Sequence, residues 1–421
     1  MKLAVIGSGI SGLTAAWRLH IKHDITVYEA GSYIGGHTNT RDVTLDDGSQ
    51  WAVDTGFIVF NHETYPHFLE MMNTLGVETQ PTNMSFSVSN RRTGLEFSGS
   101  GLKGLFSQKR NLFNPRFHGM VRDILAFRND MSVLLESGNH DITLGEFVRS
   151  KGYGKLFWSD FLAPMGAAIW STPDEEMADF PATFFARFFH NHRFLDTNNQ
   201  PQWYVIKGGS RSYIKYLTEG FADRIRLNCP VRAVTRDEHG VEITAADGST
   251  ERFDKVIMAA HSDQTLRMLA DADSLETEIL SSFPYQRNLA ILHTDSSIMP
   301  RCKGAWASWN HHVADNEGPV SVTYDMTRLQ SLNAPEHFLV TLNNDRDIDD
   351  SKVIEKIEYH HPLFTKASAV AQERHSEING KRHTFYCGAY WRYGFHEDGV
   401  FSAIQAVKEL ETAPSNQEVM A

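Results

Sequence analysis

Cysteine is scarce in this chain. Cys229, Cys302 and Cys387 are the only three in 421 residues, far apart and without a C-x-x-C pair. That pattern excludes a disulfide framework and a thiolate zinc site, and it suits a reducing cytoplasm. Long apolar runs are missing too. Nothing approaches the roughly 18 uninterrupted apolar residues of a membrane span, and the first strand starts at Lys2, so neither a spanning helix nor a cleaved leader is expected. A basic excess is also absent: 40 Lys and Arg face 52 Asp and Glu, a net charge of -12, which argues against a nucleic-acid partner. Histidine is frequent. Yet His190 and His192 flanking Asn191, and the pairs His311-His312 and His360-His361, lack a carboxylate at helical ligand spacing, so no metal site is expected.

What remains is an ordinary globular composition, 41% hydrophobic and 22% charged, on a chain long enough for two domains. Its most informative stretch is the first forty residues. Lys2-Leu3-Ala4-Val5-Ile6 reads as a strand buried on both faces and runs into Gly7-Ser8-Gly9-Ile10-Ser11-Gly12. A helix pattern follows through Leu13, Ala15, Ala16 and Leu19, then a second strand, Ile25-Thr26-Val27-Tyr28, ends on Glu29. This is the order of a dinucleotide-binding unit. Gly7 permits the tight turn, Gly9 lets backbone approach a pyrophosphate, and Gly12 lets the helix lie on the strand. The helix N-terminus faces the phosphate charge. Glu29, 22 residues after Gly7, is placed to accept hydrogen bonds from a ribose.

Gly35-Gly36-His37-Thr38 then separates NAD from FAD. A glycine pair just after the ribose acid resembles the second signature of FAD enzymes built like amine oxidases and phytoene desaturases, where it brings NH groups onto the same pyrophosphate. His37 stands where many of those enzymes carry Arg.

Further along, Asp46-Asp47-Gly48 predicts a hairpin turn, and Tyr65 to Leu75 predicts an amphipathic helix closed by Gly76. Met84–Ser89 and Leu95–Phe97 read as strands. Between Gly101 and Met120, Lys103, Lys109, Arg110 and Arg116 alternate with Leu102, Leu105, Phe106, Leu112, Phe113 and Phe117, with no acid. Two readings stand: docking on anionic lipid headgroups, and a solvated connecting loop with a few core anchors. From Val121 to Phe194 the pattern is helical, broken at 137–141 and near Pro164 and Pro173. Phe184, Phe185, Phe188, Phe189 and Phe194 form an aromatic block that reads as core or as the lining of a channel for an acyl or isoprenoid chain. Gly208-Gly209 precedes a helix with Ser210 as cap. Trp306, Trp309 and Tyr324 are candidates to roof a flavin or to pack in the core.

The segments D-T-G-F-I-V-F-N (54–61), N-M-S-F-S-V-S (83–89), W-Y-V-I-K-G-G-S-R (203–211) and Y-G-F-H-E-D-G (393–399) together resemble one bacterial family of FAD-dependent oxidoreductases. It belongs to the amine-oxidase-like and phytoene-desaturase-like flavoprotein superfamily, and to the subgroup associated with cyclopropane fatty acid synthases. The resemblance covers essentially the whole chain. It implies an α/β fold: an FAD-binding Rossmann-like domain of the glutathione-reductase type (1–75, 202–265 and 380–412), an interleaved α+β substrate domain (76–201 and 266–379), and a polar tail (413–421). It implies non-covalent FAD held by Gly7, Gly9, Ser11, Gly12, Glu29, Gly35, Gly36, His37, Thr38, Thr55, Gly56, Phe57, Val231, Gly388, Asp398 and Val400. The backbone near Val231 would meet the adenine, and Asp54-Thr55-Gly56 would pass the flavin's reactive edge. The helix starting after Gly399 would turn its N-terminus to the flavin's pyrimidine oxygen. Cys387 reads as a packed thiol rather than a covalent attachment point.

The substrate implied by the resemblance is a membrane-lipid acyl chain, unsaturated or methyl-branched, desaturated or oxygenated by hydride transfer to FAD. His396 and Glu397 are candidate proton acceptors, His396 the better because its ordinary pKa lies near neutrality. Tyr390 and Asn61 are candidates to orient substrate. Competing readings are an amine oxidase with Tyr390 and Trp391 as its aromatic pair, a flavin-dependent double-bond isomerase, and a non-catalytic flavoprotein serving a lipid methyltransferase. The expected location is the cytoplasm, with a peripheral inner-membrane contact through 101–120.

Overall fold

The computed structural model describes residues 1–137, 141–170, 176–191, 201–313 and 321–412. Phe194, His192, the helix breaks at 138–140 and Pro173, and the tail 413–421 lie outside the described residues.

Strand β1 (Lys2–Ile6) is the centre of a five-stranded parallel sheet. Its neighbours are β2 (Asp24–Tyr28) and then Ile225–Arg226 on one side, Lys255–Met258 and then Thr384–Tyr386 on the other. Leu3, Val5, Val256 and Ile257 are fully buried, as an apolar strand flanked by helices demands. The register sets Ile6 beside Met258 and Met258 beside Tyr386. Three chain turns therefore leave the sheet at one edge, through Gly7, Ala259 and Gly388. Ligands of open α/β sheets bind at this carboxyl edge. Helices α1 (Ile10–Leu19) and α5 (His396–Thr412) start there and pack on each other.

A seven-stranded sheet forms the second layer, in the order 353–362, 285–293, 339–342, 321–325, 309–313, 86–90, 95–98. It is antiparallel except where 309–313 runs beside 86–90. A helical layer covers it, with α3 (Pro115–Ser137) against α4 (Ala182–Asn191). Phe127, Phe157, Phe185 and Phe188 form the centre of its own apolar core.

The expected hairpin turn joins Thr40–Thr44 to Gln50–Asp54, with Gly48 at φ 81°. Helix α2 (Pro66–Leu75) ends on Gly76 at φ 66°. Two local expectations change. Trp203–Ile206 pairs with Thr79–Thr82 on one side and Val59–Asn61 on the other, so a strand from beyond residue 76 joins a sheet shared with the first segment. Ser210 does not cap the next helix: its NH and hydroxyl both donate to Asp54 Oδ1, at 2.8 and 2.9 Å, and the helix starts at Ser212.

Candidate functional site

A cavity of about 700 Å³ opens along the carboxyl edge of the parallel sheet. At one end it is lined by Tyr28, Glu29, Cys229, Pro230, Val231 and Arg232, and in the middle by Gly7, Ser8, Gly9, Ser11, Gly36 and His37. Thr55, Gly56, Phe57, Gly388, Tyr390 and His396 follow. At the far end stand Ile169, Trp170, Phe188, Trp309, Tyr324 and Phe364.

The middle of the cavity is built for an anion. Helix α1 starts with no side chain capping its first turn and no acid there, so its free NH groups and dipole face the cavity. A Cβ on Gly9 would meet nothing within 4 Å, whereas one on Gly12 would fall 1.9 Å from the Gly7 carbonyl oxygen. Gly9 therefore borders open space, and Gly12 is pressed onto the turn. Gly36 sits at φ 59° with its Cβ position 3.2 Å from Gly9 Cα, and Gly35 bridges to Gly9, so the second glycine pair closes over the first turn. Glu29 accepts from the Ser8 NH at 2.9 Å, the Ser8 hydroxyl at 2.5 Å and the Gly31 NH at 2.7 Å. These bonds aim its carboxylate into the cavity and leave lone pairs for ribose hydroxyls. The cradle fits a dinucleotide, and the lining continues from Gly36 past Thr55, Gly56 and Phe57, which leaves room for the rest of an FAD.

His37 stacks on Tyr359 at 5.0 Å, with His361 at 5.3 Å and His261 at 6.3 Å. Its Nε2 and His261 Nδ1 have no hydrogen-bond partner among the described residues. Burial and neighbouring imidazoles hold His37 well below its ordinary pKa, and burial lowers His261 to about 4. Thr38 faces away from the lining. Its hydroxyl meets Tyr213 at 2.6 Å and His396 Nε2 at 3.2 Å. Thr55 bonds the Asn39 carbonyl and the Tyr359 hydroxyl, while Gly56 presses against the His37 carbonyl.

His396 changes role. Its ring lines the cavity, but burial lowers its pKa to about 3. The ring is thereby held neutral, and its Nε2 is 2.8 Å from the Tyr213 hydroxyl. Glu397 does not line the cavity; its carboxylate accepts from the His67 and Phe68 NH groups and caps α2 from outside. Burial raises it to about 7. Asn61 does not line the cavity. Its amide closes a turn, accepting from the Glu63 and Thr64 NH groups and donating to the Thr64 hydroxyl. Asp398 accepts from the Phe395 NH at the start of α5, and Val400 is core. Gly12, Gly35, Asp398 and Val400 therefore shape the cradle without lining it. Gly399 brings α5 onto α1; a Cβ there would lie 2.7 Å from Ile10.

Tyr390 does line the cavity, and its buried hydroxyl has no hydrogen-bond partner among the described residues. Trp391 instead packs on His375 and Phe283, so the aromatic pair of an amine oxidase is not assembled from these two. Trp309 and Tyr324 line the cavity edge to face, 5.3 Å apart, whereas Trp306 belongs to a separate cluster. Cys387 is buried in the core and its thiol is pushed up to about 12, as a packed thiol requires. Among the described residues no three His, Cys, Asp or Glu side chains are placed to hold one metal ion. Tyr213 and Tyr359 carry site structure that no motif announces.

The profile of the family described as flavin containing amine oxidoreductase matches residues 10–298. No curated protein matches the sequence. Among solved structures, putrescine oxidase bound to putrescine superposes at a TM-score of 0.69 with 13% identity, over 98% of this chain and 99% of that one. A fatty acid isomerase from P. acnes that produces CLA gives 0.67 and 16%, over 98% of both chains. Cyclohexylamine oxidase from Brevibacterium oxydans IH-35A gives 0.68 and 15%, over 97% and 99%. At these identities the likeness is one of fold.

Proposed function

Because the chain belongs to the flavin containing amine oxidoreductase family and is thus an FAD-dependent oxidoreductase, we propose that it acts on an acyl chain of membrane phospholipid. The chain would be unsaturated or methyl-branched and would react at the carbon beside the double bond or branch. The far end of the cavity carries this reading. Ile169, Trp170, Phe188, Trp309, Tyr324 and Phe364 offer apolar surface, and Glu29, at the opposite end, is the only acid among the described lining residues. A cationic amine has no counter-ion there, whereas an acyl chain gains from each buried methylene. Bound FAD supplies the hydride acceptor, with oxygen as the final oxidant. The chain's own residues exclude water and orient. His396, stacked on Phe57 and tied to Tyr213, forms an uncharged wall.

A lipid methyltransferase acting on the same acyl chain is the partner this reading implies. A second reading, double-bond isomerisation, is supported by the likeness in fold to the fatty acid isomerase, which spans 98% of both chains.

The test is the visible flavin spectrum, followed without oxygen as bacterial phospholipid is added. Bleaching with lipid and recovery in air is the expected result. An unbleached flavin with migrated double bonds in the recovered lipid selects isomerisation. Bleaching by a primary amine and not by lipid overturns the proposal.

A further inference from the structure

The acid-free segment 97–122 combines exposed cations with exposed apolar side chains. Phe113 is 88% exposed, Leu102 76% and Leu112 48%, placing all three among the large apolar residues that the fold leaves in solvent. Lys103, Lys109 and Arg116 are exposed beside them, and among the described residues no carboxylate pairs with any of the three. On a chain of net charge -12, this is a local inversion of sign.

The segment is not a loose loop. Phe106 and Phe117 pack ring to ring at 5.7 Å, and Phe117 meets Phe97 at 5.6 Å. The His118 ring bonds the Leu112 carbonyl at 2.8 Å, Gln108 donates to the Gly94 carbonyl, Arg110 bonds the same carbonyl, and the Cys302 thiol bonds the Ser107 carbonyl. Inward residues thus hold Leu112 and Phe113 outward in one conformation, so inserting them elsewhere costs little ordering entropy. The same helical layer supplies Ile169, Trp170 and Phe188 to the cavity.

We infer that the face carrying Leu102, Leu112, Phe113, Lys103, Lys109 and Arg116 docks the protein on an anionic phospholipid bilayer. Cations at the headgroup level and apolar side chains dipping beneath them are the two signals that together give stable, reversible attachment. A second copy of this chain is a poor occupant, since the cations would meet their like across a symmetric contact. The inference goes beyond the acyl-chain proposal and stands without it, because docking is measured apart from turnover.

The experiment is co-sedimentation of the flavin-loaded protein with vesicles of phosphatidylethanolamine and phosphatidylglycerol, against vesicles of phosphatidylcholine alone. Binding is expected to the anionic vesicles, weakening as salt is raised. The variant Lys103→Gln/Lys109→Gln/Arg116→Gln is expected to lose on the order of a hundredfold in partitioning. Leu102→Ser/Phe113→Ser is expected to lose about tenfold or more. Both variants change solvent-exposed side chains, so flavin content and thermal midpoint should match the parent. Equal binding by parent and variants, binding to phosphatidylcholine alone, or salt-sensitive binding to single-stranded DNA in place of vesicles would each overturn the inference. So would a dimer that Phe113→Ser dissolves, without vesicle binding.

Discussion

The imidazole of His396 lies flat on the ring of Phe57, centroids 3.7 Å apart and planes within 6°. The first residue of α5 is thereby locked to the loop that follows Asp54. The arrangement joins two segments some 340 positions apart, and it explains why a motif histidine ends as a neutral wall: stacking and the Tyr213 hydroxyl hold the uncharged ring, while burial penalises the charged one.

From this follows a pH dependence. The folded pKa of His396, about 3, lies below the ordinary 6.5, so its contribution is fully present above 6.5 and is lost as pH falls through the window down to 3. Between pH 7.5 and 5 the parent should lose about 2 kcal/mol relative to His396→Gln. Urea midpoints of the two proteins at both pH values check this; a constant gap would contradict it.

Asp54 should behave in the opposite sense. It is fully buried, accepts from Thr40 and Ser210, and burial raises it from 3.8 to about 6. A folded pKa above the unfolded one favours folding at low pH, and that contribution disappears as pH rises through 6. Between pH 5 and 8 the parent should lose about 1.4 kcal/mol relative to Asp54→Asn. The same urea series measures it.

The two inner glycines should fail differently. Gly9→Ala adds a methyl to open cavity space, so the apoprotein's thermal midpoint should hold while FAD retention on desalting drops about tenfold or more. Gly12→Ala places a methyl on the Gly7 carbonyl and should cost about 2 kcal/mol or more of folding stability, flavin or none. Identical behaviour of the two variants would remove the distinction.

Non-covalent attachment is checked with acid. Cys387 is buried with its thiol raised to about 12, so acid precipitation should leave all yellow colour in the supernatant and a white pellet. A yellow pellet would contradict it.

The N-terminal cradle was legible because its determinants are local. An apolar strand, glycines at fixed offsets, a helix period and an acid after the second strand lie within residues 2–29, and short-range sterics dictate that order. The family and its flavin were legible for the same reason. The apolar character of the substrate end could be read only as an alternative: Phe185 and Phe189 prove to be core, while Phe188, on the same helix, lines the cavity. Sequence spacing does not tell one helix face from its neighbour when both are aromatic.

By itself the sequence determined the parallel sheet, the glycine turns and the acid that closes the second strand, since each depends on backbone sterics and periodicity between near neighbours. Only the tertiary structure decided which polar groups are spent on the fold. Asn61 closes a turn, Glu397 caps a helix that begins 331 residues earlier, and His37 gathers His261, His361 and Tyr359. Hydrogen-bond partners and protonation depend on burial and on contacts across hundreds of residues. These quantities exist only once the chain has packed.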